Sequence, residues 1–184
     1  MRVIGLAGWS GSGKTTLLRR LLPVLIARGL RVSTLKHAHH AFDVDRPGKD
    51  SWLHREAGAT EVLVSSARRW ALMRELREDA EPGLAELLGH MSAVDLVVVE
   101  GFKQEPHPKI EIHRKAAGKP PLHPGDPDIV AIASDTPFPS AGIPVLDLDD
   151  IDAIAAFALS RALPVESIRW RSPVEEASDG PAHG

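Results

Sequence analysis

The chain has 184 residues, 43% of them hydrophobic, which is about one domain of sequence and enough for a sizeable core. Its 22 basic and 25 acidic residues leave a formal charge of -3, so no global field draws it to nucleic acid or to an anionic membrane, and any anion it takes must be held locally. It has no cysteine, which excludes disulfides, thiolate metal sites and a cysteine nucleophile; no run approaches the roughly 20 apolar residues of a membrane helix, and "MRVIGLAG" lacks the h-region of a signal peptide, so the cytoplasm is the expected location.

The apolar run 3–7 is short, stops at Gly8 and predicts a buried strand. After the glycine-rich "GWSGSGKTT", the segment "KTTLLRRLLPVLIARG" carries leucines at helical spacing and ends at Gly29; Pro23 inside it predicts a kink. Residues 31–37 predict a second strand, parallel to the first across that helix. A polar loop follows from 38 to 49, then a short helix at 50–59 with Asp50 as its N-cap. Segments 61–66 and 69–75 predict two strands joined at "SARR", and Pro82 opens a further helix. "DLVVVE" (95–100) is the most apolar strand and predicts a central place in the sheet. "KIEIHR" (109–114) alternates, which predicts a half-buried or edge strand. A Pro- and Gly-rich loop leads to strands at 129–135 and 143–150 and a last helix. The pattern predicts an α/β fold of the P-loop NTPase kind: a three-layer α/β/α domain over residues 1–163, with a mostly parallel central sheet and extra antiparallel strands. Residues 164–184 are mostly polar and predict a disordered tail.

Gly8, Gly13, Lys14 and Thr15 match the pattern G-x-x-x-x-G-K-[ST], between a strand and a helix as that motif requires. A triphosphate must exchange water for other donors. Glycines at 8, 11 and 13 let the backbone from Gly8 through Ser10, Gly11, Ser12 and Gly13 turn its N–H groups inward, and the helix start adds its positive end. Lys14 can place an ammonium between the β- and γ-phosphates, and the Thr15 hydroxyl can join the shell of a bridging Mg²⁺. Glu100, closing "LVVVE", puts an acid at the sheet edge facing the loop, to hold a metal-bound water or to polarise an attacking one. Asp43, Asp45 and Asp50 lie after the second strand; Asp45 is the candidate that shares the metal.

Lys36 ends the second strand on the same edge and is a candidate anion contact. Asp135, ending "AIASD", can accept two hydrogen bonds from guanine N1–H and N2–H₂, a donor pair adenine lacks. Lys103 can reach an acidic partner or a pterin phosphate. Arg68, Arg69 and Trp70 offer guanidinium and ring faces to a phosphate or a flat heterocycle, and His37, His39 and His40 in "KHAHH" are either metal ligands or donors to phosphate.

Taken in order, "WSGSGKTTLL", "KHAHHAFDVDRPGKDS", "REAGA", "RRWALM", "VVVEGFK" and "AIASD" resemble the MobB family, the accessory proteins of molybdopterin-guanine dinucleotide biosynthesis, over roughly residues 3–160. The resemblance implies a dimeric P-loop protein that binds GTP with Mg²⁺, hydrolyses it slowly, and assists a MobA-type nucleotidyltransferase that joins GMP to molybdopterin. It carries Gly13, Lys14, Thr15 and Thr16 over to phosphate and Mg²⁺, and Glu100 to the second acidic motif. Two other readings of the residues are a P-loop small-molecule kinase, with Arg68 and Arg69 on a lid, and a metallochaperone GTPase using the histidine cluster.

Overall fold

The structure is a computed structural model and describes residues 1–38 and 42–170. The chain forms two compact units, one of Met1–His37 with everything from Leu84 onward, the other of Ala38–Gly83.

In the first unit, β1 (Arg2–Ala7), β2 (Val32–Lys36), β5 (Leu96–Glu100), β6 (Lys109–His113), β7 (Ile129–Ser134) and β8 (Val145–Asp147) lie side by side in the order β2-β5-β1-β6-β7-β8, every pair parallel. Strand alternation feeds two cores. Ile4 and Leu6 of β1 and Leu96 and Val98 of β5 pack with α1 (Lys14–Ala27) and α4 (Ile151–Arg161) on one face. Val3, Val97 and Val99 pack on the other face with Leu84 and Leu88 of α3 (Leu84–Gly89). These are the three α/β/α layers. α1 runs on through Pro23 and buries Leu17, Leu18, Leu21 and Leu25, the stripe that its leucine spacing predicts.

Three expectations are corrected. β6 is neither half-buried nor an edge; it lies between β1 and β7, and Lys109 and Glu111 are 0% and 1% exposed. Their burial is possible because each is paired. Lys109 Nζ lies 3.0 Å from Asp126 Oδ2 and donates to the Lys103 and Glu105 carbonyls at 2.9 Å each. Glu111 accepts from the backbone of Leu122 at 2.7 Å and His123 at 2.9 Å.

The chain also stays packed past Pro164. β9 (Leu163–Pro164) pairs antiparallel with Arg2 and Val3, at the end of β1 that β6 does not reach, and Ile168 is buried in the second core. Apolar Val165, Ile168 and Trp170 supply this packing; the rest of the expected tail, 171–184, lies outside the described residues. Finally, Lys49 rather than Asp50 occupies the N-cap position of α2 (Asp50–Glu56), where no side chain caps the helix. Asp50 instead places a negative charge in the first turn.

The second unit holds α2 and an antiparallel hairpin of β3 (Glu61–Ser65) and β4 (Trp70–Arg74). The Ser66 hydroxyl closes its turn by donating to the Arg69 carbonyl at 3.0 Å. Arg55 of α2 ties the unit together through Asp45 at 2.9 Å, Asp43 at 3.1 Å and Glu75 at 2.8 Å.

Candidate nucleotide site

Parallel strands bring their C-terminal ends to one edge of the sheet, and the loops at that edge carry the candidate residues. The register sets Leu6 and Lys36 on either side of Glu100, so the phosphate loop, the acid and the second lysine meet by strand pairing alone. Gly8, Gly11 and Gly13 have φ of 147°, 79° and 95°, which only glycine adopts without strain. A Cβ at Gly8 would come within 2.7 Å of the Ile112 carbonyl and 2.6 Å of Ser12 Oγ, so the loop also needs glycine for close approach. α1 begins directly after Gly13, leaving first-turn amides that no helix satisfies internally, and no side chain caps them.

Lys14 Nζ donates to the loop carbonyls of Gly8 at 2.9 Å and Trp9 at 3.0 Å. Its pKa is held below the ordinary lysine value, chiefly by burial; the Lys103 and Lys36 charges act in the same direction and Glu100 opposes them. Thr15 Oγ1 lies 3.0 and 3.2 Å from the two oxygens of Glu100, and Lys36 Nζ lies 3.5 Å from Glu100 Oε1. Glu100 is only 6% exposed, so one buried carboxylate serves a hydroxyl and an ammonium. Next to it Gly101, with φ 100°, lets the chain pass His37 where a Cβ would meet its neighbour at 2.7 Å, and Phe102 sits at φ 49°.

The loop, hydroxyl and carboxylate fit a magnesium nucleotide. Mg²⁺ takes few protein ligands beside phosphate oxygens, which suits one hydroxyl and one acid. Ser12 Oγ is buried with no hydrogen-bond partner among the described residues, inside a cradle that side chains would fill. Ser10 and Thr16 lie in the loop and in the first turn of α1. Asp135 stands at the end of β7, where its Oδ1 accepts from the Lys115 amide at 2.9 Å and Oδ2 keeps its acceptor capacity. It lines a groove of about 270 Å³ between the ends of β7 and β8, with Thr136, Pro137, Leu146 and Asp147.

Other candidates are placed differently. Asp45 belongs to the second unit, where its carboxylate is engaged by Arg55, which holds its pKa below the carboxylate range. Arg68, Arg69 and Trp70 also belong to that unit, and Trp70 is 65% exposed. His37 packs its ring on Phe102 and donates its amide to the Glu100 carbonyl; His39 and His40 lie outside the described residues. Among the described residues no group of three or more potential ligands is arranged for a metal. Lys103 Nζ stands over the Trp9 ring at 4.8 Å, and Trp9 Nε1 donates to the Pro120 carbonyl at 2.8 Å.

One residue the sequence did not single out is Arg114, which follows β6 and lies against Gly13: a Cβ there would come within 2.9 Å of its Nε. The signal was its place at the end of a strand beside β1, which only the strand order reveals.

A parallel sheet centred on β1, a glycine-rich loop entering a helix, and a lysine, threonine and strand-end acid brought together at its edge define the P-loop NTPase class. The family model for molybdopterin guanine dinucleotide synthesis protein B matches residues 3–135, and the chain belongs to this MobB family. The molybdopterin-guanine dinucleotide biosynthesis adapter protein of Escherichia coli (strain K12) is 44% identical over 160 residues, covering 85% of this chain and 91% of that protein. The adapter protein of Haemophilus influenzae is 44% identical over 155 residues, 84% of this chain and 86% of its own length. The crystal structure of Bacillus subtilis MobB superposes with a TM-score of 0.69 at 25% identity, over 89% of this chain and 99% of that one.

Proposed function

We propose that the chain binds GTP with Mg²⁺ at the sheet edge and acts as an adapter in molybdopterin-guanine dinucleotide synthesis, assisting a MobA-type nucleotidyltransferase that attaches GMP to molybdopterin. The observation that carries the nucleotide reading is the Thr15–Glu100 contact beside a complete phosphate loop. The adapter reading rests on the likeness to the Escherichia coli and Haemophilus influenzae adapter proteins, each over more than four-fifths of both chains. Lys14 turns from the loop carbonyls to the β- and γ-phosphates, Thr15 and Glu100 serve the metal, and Asp135 reads guanine.

Hydrolysis at this site is weak. Glu100 already accepts from Thr15 and faces Lys36, so it is engaged as a metal-side group rather than poised to draw a proton from water. A site that holds phosphates firmly and turns them over slowly suits an adapter. The active form is a homodimer, and the exposed Leu63, Val64, Trp70 and Leu72 of the hairpin offer apolar surface for a second copy. No described helix is long and apolar enough to cross a membrane.

Calorimetric titration with GTP and ATP in the presence of Mg²⁺, paired with phosphate release, tests this. GTP-selective binding, slow release, and affinity lost by at least about tenfold in a folded Lys14→Ala variant are expected. Unchanged affinity in that variant, or rapid turnover, refutes the reading.

A further inference from the structure

Arg114 lies against the phosphate cradle and is followed by the residue that bonds Asp135 at the groove. Its side chain is half-buried and its guanidinium lies along Gly13, with a Cβ there 2.9 Å from Nε and 3.7 Å from both Cζ and Nη2. The next residue, Lys115, gives its amide to Asp135. Asp149, whose carboxyl feels the Arg114 charge, is already held by Arg20 of α1, by Nη1–Oδ1 at 2.8 Å and by a bond to its backbone carbonyl. Arg114 reaches Asp149 only as a longer-range charge, which helps to keep that carboxyl below the usual carboxylate range. Among the described residues no hydrogen bond or ion pair holds the Arg114 guanidinium. Its donors form a planar fork suited to a phosphate or carboxylate.

A nucleotide seated in this site has its β- and γ-phosphates at Lys14 and its base at Asp135, so the α-phosphate lies between those ends. We propose that Arg114 is the residue that binds the α-phosphate of the guanine nucleotide, a contact that rests on the nucleotide reading above and deepens it. The α-phosphate is what GTP, GDP and GMP share. Arg114 therefore makes the site hold a guanosine 5'-phosphate of any length, whereas Lys14 favours the longer ones. For a protein that assists GMP attachment, this retains the part of the nucleotide that is transferred.

The test is calorimetric titration of the full chain with GTP, GDP and GMP, and competition by guanosine, all with Mg²⁺ present. Arg114→Ala is expected to weaken all three nucleotides by a common factor of about tenfold or more, as fits one lost charge-assisted contact, and to leave guanosine unchanged. Arg114→Lys, which keeps the charge without the fork, is expected to weaken the three by a smaller common factor, and it carries the test if the alanine variant is unstable. A loss confined to GTP would put the guanidinium at the γ-phosphate, a loss that includes guanosine would put it on the base, and no change would leave it a packing residue; each overturns the proposal. Lys14→Ala serves as the separate control. If it weakens GTP and GDP while Arg114→Ala changes nothing, the α-phosphate contact alone fails; if neither variant changes binding, the nucleotide reading fails with it.

Discussion

His107 precedes β6 and is fully buried, with Nδ1 3.2 Å from the Glu105 carbonyl and Nε2 without a partner among the described residues. A carbonyl can only accept, so Nδ1 carries the proton and Nε2 is a bare acceptor against Gly5. Charging the ring would bury a second cation beside Lys109. Burial first and the Lys109 charge second push its pKa from 6.5 to about 4, against smaller opposing effects of the Glu105 carbonyl and Asp126. The unfolded chain binds a proton at this residue below about pH 6.5 that the folded chain refuses until about pH 4. The stabilisation is thus complete above pH 6.5 and is lost as pH falls towards 4, a total of about 3 kcal/mol at ~1.4 kcal/mol per pH unit. Urea unfolding between pH 7.5 and 4.5, compared with His107→Gln, isolates the effect, because acid losses from Asp45 and Asp149 are common to both proteins. The wild type should lose ground to the variant at that slope through the window. Parallel curves would refute the neutral, buried assignment.

Gly5→Ala should destabilise the fold by about 1–3 kcal/mol, the usual cost of overpacking. The new methyl would stand 2.4 Å from His107 Nε2 and 2.7 Å from Lys109 Cγ, both in buried side chains; an unchanged urea midpoint would show that the pair can move aside. Asp135→Asn should narrow the preference for GTP over ATP while leaving stability near that of the wild type. The asparagine carbonyl can still accept from the Lys115 amide, whereas its NH₂ faces guanine donors with a donor of its own. An unaltered GTP/ATP affinity ratio would place base recognition elsewhere.

The parts of the site that could be read from sequence are those whose chemistry is local. Gly8 to Thr16 carry their conformational demands within one loop, and "LVVVE" announces both a buried strand and an acid at its end. What the sequence hid depends on partners distant along the chain. "KIEIHR" has the alternation of a half-buried strand, yet Lys109 is neutralised by Asp126 and Glu111 by the amides of Leu122 and His123, all beyond the strand. Likewise Asp45 has the look of an open loop acid until Arg55 is placed against it.

The misread charges of β6 also bear on the site. Lys109 donates to the Lys103 carbonyl, and the Lys103 ammonium stands over Trp9 of the glycine-rich loop. Glu111 holds Leu122 and His123, two and three residues beyond the Pro120 carbonyl that receives the Trp9 indole. Arg114 leaves the end of the same strand to lie on Gly13. A strand beside β1 with buried charges thus fixes the loops against the phosphate cradle, which apolar residues at 109 and 111 could not do, having neither donors nor acceptors to hold backbone with. The alternation that reads as a half-buried or edge strand is the pattern of a strand whose polar face is turned to its own connecting loops, and through them to the glycine-rich loop.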